Sequence, residues 1–262
     1  GVLQGNYEPV IPLIAPQKTQ MFTFGVDKKF SNDGRLSWEG AVSNKDVNLF
    51  SPQNDNNNFG AASKISVSNN FNLRKNLKNI PTLNVNALYE YDGKTFSPVE
   101  RYRPIEFTRD WNLASSDSGA EEQLASAGTG IKFPKNGNMN YSLSWFQRTG
   151  FYSGIRHSLN GNLNWNNFNF ISTSSYLQSQ SITSASEFFR PNLEISYAIK
   201  PLHGLRPGFN WQREQNTIRL LSHDSISTSS FLWDQYTAFL KTSDTSRLHF
   251  SLSASERDDY MP

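Results

Sequence analysis

Along most of this chain the apolar residues fall at every second position, and helical spacing is scarce. Phe22, Phe24 and Val26 alternate, as do Leu36, Trp38 and Val42. The same spacing returns in Ile65–Leu73, Leu83–Tyr89, Met139–Trp145, Leu193–Ile199 and Leu248–Ala254. Successive strand side chains point to opposite sides, so this period builds strands with one apolar and one polar face. It excludes most helical architectures and predicts an all-β fold of about 12–14 strands.

The stretch LNWNNFNF, Leu163–Phe170, sharpens the point because its parity changes midway. Leu163 and Trp165 are odd, Phe168 and Phe170 even. A two-residue turn at Asn166-Asn167 removes the conflict, since Asn tolerates the positive φ that a type I′ turn needs. Trp165 then faces Phe168, Leu163 faces Phe170, Gly161 faces Ser172 and Leu159 faces Ser174. Similar logic pairs Phe30 with Leu36 and Phe24 with Val42 around Asn32-Asp33-Gly34. It also pairs Ile199 with Leu205 and Leu193 with Trp211 around 200–204. The run Val99–Leu113 reads as an extended, aromatic-rich strand, and Ser115–Ala125 as a loop. Phe231–Leu240 is ambiguous, because both parities hold apolar residues.

Composition separates the candidate architectures. Only 36% of the 262 residues are hydrophobic, yet 13% are aromatic, which argues against disorder. Net charge is +2, so nucleic acid is not an expected partner. With no cysteine, disulfides and thiolate metal sites are excluded. No run of about 18 apolar residues exists to make a membrane-crossing helix.

Two β architectures remain. A soluble sandwich hides its apolar faces between sheets. A transmembrane barrel turns them to lipid and keeps a polar lumen. Runs 157–165, 168–177 and 189–199 are about 9–11 residues, the length that crosses a bilayer when tilted. The polar parity is mostly Asn, Ser and Thr, with charged residues only 18% of the chain. Short turns at 134–138, 166–167, 200–204 and 241–247 alternate with looser connections near 148–153, 179–187 and 213–230, as at the two ends of a meander. Aromatics sit near predicted strand ends: Trp165 and Phe168 at the tight turn, Trp145, Phe189 and Trp211 at the other end. With Phe170 they form the expected lipid-facing or interfacial set. The expectation is an antiparallel up-and-down transmembrane β-barrel, or a large fragment of one. It is read as one domain over 1–262, processed or belonging to a longer chain.

Catalytic signals are weak. His157, His203, His223 and His249 share no metal-ligand spacing, and no nucleophile or phosphate-loop motif occurs. His249 falls on the polar parity of the last strand. His157-Ser158 and His223-Asp224 are the only pairs from which a barrel hydrolase could be built. No cofactor or metal is expected. Asp46, Asn48 and Asp55 are either oxygen donors for a calcium ion or a solvated loop of Asx turns, with the second favoured. In ERYRPIEFTRDW the charges of Glu100, Arg101, Arg103, Glu106, Arg109 and Asp110 suggest a lumenal ion-pair ladder, with Arg101, Arg103, Glu106 and Arg109 its main members, that plugs the interior or selects what passes.

SNKDVNLFSPQNDNNNFG (Ser43–Gly60) and VERYRPIEFTRDWNL (Val99–Leu113) resemble segments of large, mostly uncharacterised outer-membrane β-barrel proteins of Bacteroidota. The opening GNYEPVIPLIAPQKTQM adds to the likeness. It covers roughly the first 115 residues; the remainder agrees only in strand pattern. Bacteroidota machines such as the type IX secretion translocon and the barrel-assembly complex contain such barrels. The resemblance therefore implies the bacterial outer membrane, with its lipid and other outer-membrane or periplasmic proteins as partners. It makes a pore, or a subunit of a secretion or assembly complex, the expected non-catalytic role. The alternatives are a soluble exported sandwich that binds glycan or protein, and a barrel hydrolase.

Overall fold

The computed structural model describes residues 15–31, 33–51, 57–73, 80–113, 119–202, 204–242 and 249–260. The strands are β1 (Lys18–Lys29), β2 (Arg35–Asp46), β3 (Phe59–Asn72), β4 (Thr82–Asp92), β5 (Glu122–Phe133), β6 (Gly137–Arg148) and β7 (Tyr152–Trp165). They continue with β8 (Phe168–Ser181), β9 (Ser184–Arg190), β10 (Asn192–Tyr197), β11 (Arg206–Leu220), β12 (Ser225–Ile226), β13 (Phe231–Lys241) and β14 (Ser251–Tyr260). A four-residue helix, α1 (Phe107–Asp110), lies between β4 and β5, and a short 3-10 turn, Lys200–Leu202, between β10 and β11. All fourteen strands belong to one antiparallel, up-and-down sheet laid out in chain order.

β9 and β10 occupy a single lane. Both pair with β8 and β11, and the register runs through the gap: Arg190 faces Ser175 and Leu193 faces Ser172. Pro191 interrupts the ladder only because it has no N–H to give; its carbonyl still accepts from Arg213 N at 3.0 Å. β12 lies beside β13 on the same edge of β11, so the sheet has twelve lanes. β1 pairs only with β2, and β14 only with β13, leaving one edge of each without a strand among the described residues.

One face is apolar along the whole sheet. A single cross-strand row holds Val26, Trp38, Ile65, Tyr89, Ala125, Trp145 and Ile155, and then becomes polar at Gln178, Glu187 and Thr217. Another row is apolar at Leu163, Phe170, Ile195, Phe209, Ala238 and Ala254. The apolar belt thus drifts across the hydrogen-bonding rows, so the strands are inclined to it. Inclination of this kind is what closing a sheet into a barrel requires.

The distribution of burial is inverted relative to a soluble domain. Only six hydrophobic side chains are buried, whereas 39 large ones are exposed among the described residues. No second sheet covers the belt among those residues, so the packing that defines a sandwich is not met. The other face carries ladders of mutually bonded amides. Asn84 donates to Asn70 at 2.8 Å, and Asn169 donates to Asn162 and Asn164 at 2.6 and 2.9 Å.

The Asn166-Asn167 hairpin forms with all four expected pairs, and both residues have positive φ, 47° and 80°. Leu193–Trp211 and Ile199–Leu205 also pair as expected. Around Asp33-Gly34 the register is two residues tighter: Phe24 faces Gly40 and Phe22 faces Val42. The faces are unchanged, because a slip of two preserves parity. Asn32 lies outside the described residues.

Further expectations fail. Of Ser115–Ala125, expected as a loop, residues 122–125 begin β5, and 115–118 lie outside the described residues. Val99–Leu113 is not a strand but an inserted segment containing α1. The Ser/Thr/Gln-rich stretches at 179–187 and 213–220 are mostly strand, because β8, β9 and β11 extend past the belt. At that end the long connections are instead those that join β2 to β3 and β4 to β5. His249 precedes β14 and is exposed, rather than lying on its inner face. Leu248, and with it the start expected for the last strand, lies outside the described residues.

Candidate functional site

The inserted segment folds against the polar face, called the inner face below. Its entry is a close backbone approach. Gly93 N donates to Ala61 O and Thr95 Oγ1 to Phe59 O. A Cβ on Gly60 would lie 2.3 Å from the Phe96 backbone, so only glycine leaves room. Gly60→Val is therefore expected to displace the segment while leaving the sheet folded. Limited proteolysis reads this as new cleavage within 95–113. An unchanged digest would mean that the segment does not depend on this contact.

Arg103 anchors the middle. Its guanidinium pairs with Glu90 at 2.6 Å, Asp92 at 2.9 Å and Glu122 at 3.1 Å, and its side chain is only 13% exposed. Glu122 also takes Arg148 at 2.7 Å, and Lys64 stands opposite Glu90 in the register. Three acids and three bases thus close one cluster. The Arg103 plane lies 4.4 Å from the Phe107 ring centroid, which shields these pairs from water. Tyr102 donates to Asp92. Burial, reinforced by that bond, pushes the Tyr102 phenol upward, so it remains a proton donor.

α1 ends with Asn112 at φ 49°, Asn112 N donating to Arg109 O and Leu113 N to Thr108 O. This is a left-handed helix stop, for which Asn is suited. It aims the Asn112 amide at Ser186 Oγ (3.0 Å) and Asn216 Oδ1 (3.3 Å). It also buries Trp111 and Leu113 against Phe146, Tyr152, Leu177 and Phe188. Tyr152 donates to the Trp111 carbonyl. Among the described residues the buried hydrophobic cluster is therefore the contact between this segment and the inner face.

Asp110 sits between two arginines of that face, accepting Arg156 and Arg190 each at 2.9 Å. Of the charges expected to form a ladder, Arg103 and Asp110 pair with the sheet. Arg109 pairs with Glu106 at 3.1 Å with both side chains more than half exposed, and Arg101 donates to the carbonyls of Arg103, Pro104 and Ile105. No cross-strand ladder forms, because these charges sit on a folded loop instead of a strand. Arg156, Arg190, Glu90, Asp92, Glu122 and Arg148 were not singled out from the sequence.

The expected interfacial aromatics all lie on the apolar face. Trp165 and Phe168 flank their turn and are 74% and 51% exposed. Phe170, Trp145 and Phe189 are half-buried on the same face. Trp211 is not at the end of β11, as expected, but near its middle. It closes the apolar run: the next outward residue, Arg213, binds Asp234, and Trp211 Nε1 donates to the same carboxylate at 2.9 Å.

No dyad forms among the described histidines. His157 lies within the belt, between Leu143 and Tyr176, and its Nδ1 meets the Tyr141 hydroxyl at 2.8 Å. Ser158 points to the opposite face. Asp224, next to His223, pairs with Arg219 at 3.0 Å. His203 lies outside the described residues. In the loop after β2, Asp46 accepts Asn48 N and Asn48 accepts Phe50 N, two successive Asx turns. Asp55 is outside the described residues, and no group of three or more potential metal ligands occurs among those described.

No family model, curated protein or solved structure matches this chain.

Proposed function

We propose that this chain forms the wall of a bacterial outer-membrane β-barrel with a structural or transport role and no covalent chemistry. The observation that carries the reading is the belt. On β7 it runs from Ile155 to Trp165, about 33 Å of strand at ~3.3 Å per residue. At the ~40° tilt of barrels that is about 25 Å in height, the thickness of the apolar band of such proteins. Aromatics border it on both sides: Trp165, Phe168 and Tyr197 at the tight-turn end, and Tyr89, Trp145, Phe189 and Trp211 toward the other. Beyond them the same face turns to Gln123, Gln147, Gln178 and Glu187. This order of apolar, aromatic and polar residues suits lipid, interface and water in turn.

Lipid does not tolerate an open sheet edge, because unpaired backbone groups find no water there. The free edges of β1 and β14 are therefore paired in the membrane, with each other or with further strands. A larger barrel fits the resemblance to the long Bacteroidota proteins, and a subunit of a secretion or assembly complex is the role in keeping with it. The inserted segment makes a plugged wall rather than an open pore.

Fractionation of the native protein tests the reading. Recovery with the outer membrane, resistant to carbonate and released only by detergent, is the expected result. Recovery in the soluble fraction would end it.

A further inference from the structure

The ion clusters leave one part of the inner face open. Beside α1, between Asp110 and β11, lies a cavity of about 410 Å³, within the ~300–1,000 Å³ range of small-molecule sites. It is polar. Ser158, Asn160, Thr173, Ser175 and Gln212 line it, and among the described residues none of their side chains has a hydrogen-bond partner. That contrasts with the amides nearer the tight turns, where Asn162, Asn164 and Asn169 satisfy one another. The cavity is thus supplied with donors and acceptors that the fold does not use. Unused polar groups in a concave site are matched by a ligand's polar groups or by water.

Charge narrows the ligand. Arg156 and Arg190 share one carboxylate, Asp110, so most of their N–H groups remain free to donate. Glu214, also lining the cavity, supplies free acceptors. These four groups sum to zero. Arg109 is matched by Glu106, and Arg213 by Asp234. An anion would meet Glu214 and a cation the two arginines; an uncharged ligand dense in hydroxyls meets neither penalty. Each hydroxyl both donates and accepts, which suits a lining that mixes guanidinium, carboxylate, amide and hydroxyl. Trp233 lines the cavity too and adds an aromatic surface. Asn192 and Gln212 continue the lining into an adjoining cavity of about 430 Å³, giving room for more than one ring.

We propose that this inner-face cavity binds a neutral oligosaccharide. The inference rests on reading the inner face as a lumen, but its test does not require that reading. The protein, purified in whichever form it fractionates, is applied to an array of neutral and uronate-bearing oligosaccharides of two to four sugars. Binding of at least one neutral oligosaccharide, with its uronate counterpart at least tenfold weaker, is expected. Asn160→Ala and Gln212→Ala touch no ion pair and should each weaken that binding tenfold or more. Asn164→Ala, within the bonded ladder, should leave it unchanged. The proposal is overturned if no neutral oligosaccharide binds, if charged ones bind as tightly, or if Asn160→Ala and Gln212→Ala have no effect. A soluble protein that still binds would reject the membrane reading and keep this one.

Discussion

Arg103→Gln should cost about 3–5 kcal/mol of stability, the range for removing one partner of a buried ion pair. Glu90, Asp92 and Glu122 surround this guanidinium, and their side chains are 11%, 10% and 20% exposed. Without it, three carboxylates are left near Arg148 and Lys64 alone. The Phe107 ring also loses the cation above it. Urea unfolding of the detergent-solubilised protein, followed by heat-modifiable gel migration, reads the change. Replacing Glu90 by Gln and Asp92 by Asn in the same chain should recover most of the loss, because the uncompensated charge is then gone. Arg109→Gln is the control: its exposed pair with Glu106 is worth about 0–1 kcal/mol. Equal effects at 103 and 109 would mean that the buried cluster does not hold the segment.

The sheet was legible and the inserted segment was not, for one physical reason. Strand parity is a local property, so Leu163 to Phe170 could be folded into a hairpin on paper and the register came out residue for residue. The inserted segment is fixed by contacts far along the chain, such as Asp110 with Arg190 and Asn112 with Asn216. Its aromatic residues at 102, 107 and 111 look like a strand when no partner is visible. A signal was nevertheless present. Phe146, Leu177 and Phe188 lie on the polar parity of β6, β8 and β9; Leu177 and Phe188 pair directly, and Phe146 lies across β7 from them, opposite Gly154. An apolar patch on an otherwise polar sheet face asks for something to cover it, and Trp111 does so. Phe231–Leu240 was ambiguous for a similar cause. Leu232, Tyr236, Ala238 and Leu240 keep outward parity, while Phe231 packs edge-on to Phe188 inside. The Ser- and Gln-rich ends of β8 and β9 escaped notice because they rise above the belt, where a strand no longer needs an apolar face.

Leu159→Arg separates a wall in lipid from a sheet in water more sharply than any change on the inner face. Leu159 stands midway along the β7 belt, beside Tyr141, and is already 37% exposed. In water, an arginine at such a position would change stability by no more than about 0.5 kcal/mol, as surface substitutions generally do. In a bilayer it lies near the midplane, where an outward-facing arginine costs about 2–4 kcal/mol. Trp165→Arg, at the belt's edge, should cost about 0–1 kcal/mol for charge alone, since a side chain there reaches the interface. Urea titration in vesicles therefore predicts a large loss at 159 and a small one at 165. Asn160, the next residue along the strand, faces the inner side, so Asn160→Arg should escape the lipid penalty altogether. The contrast between two adjacent positions depends only on which face meets hydrocarbon. Equal tolerance at 159 and 160 would place both faces in water and remove the basis for the membrane reading.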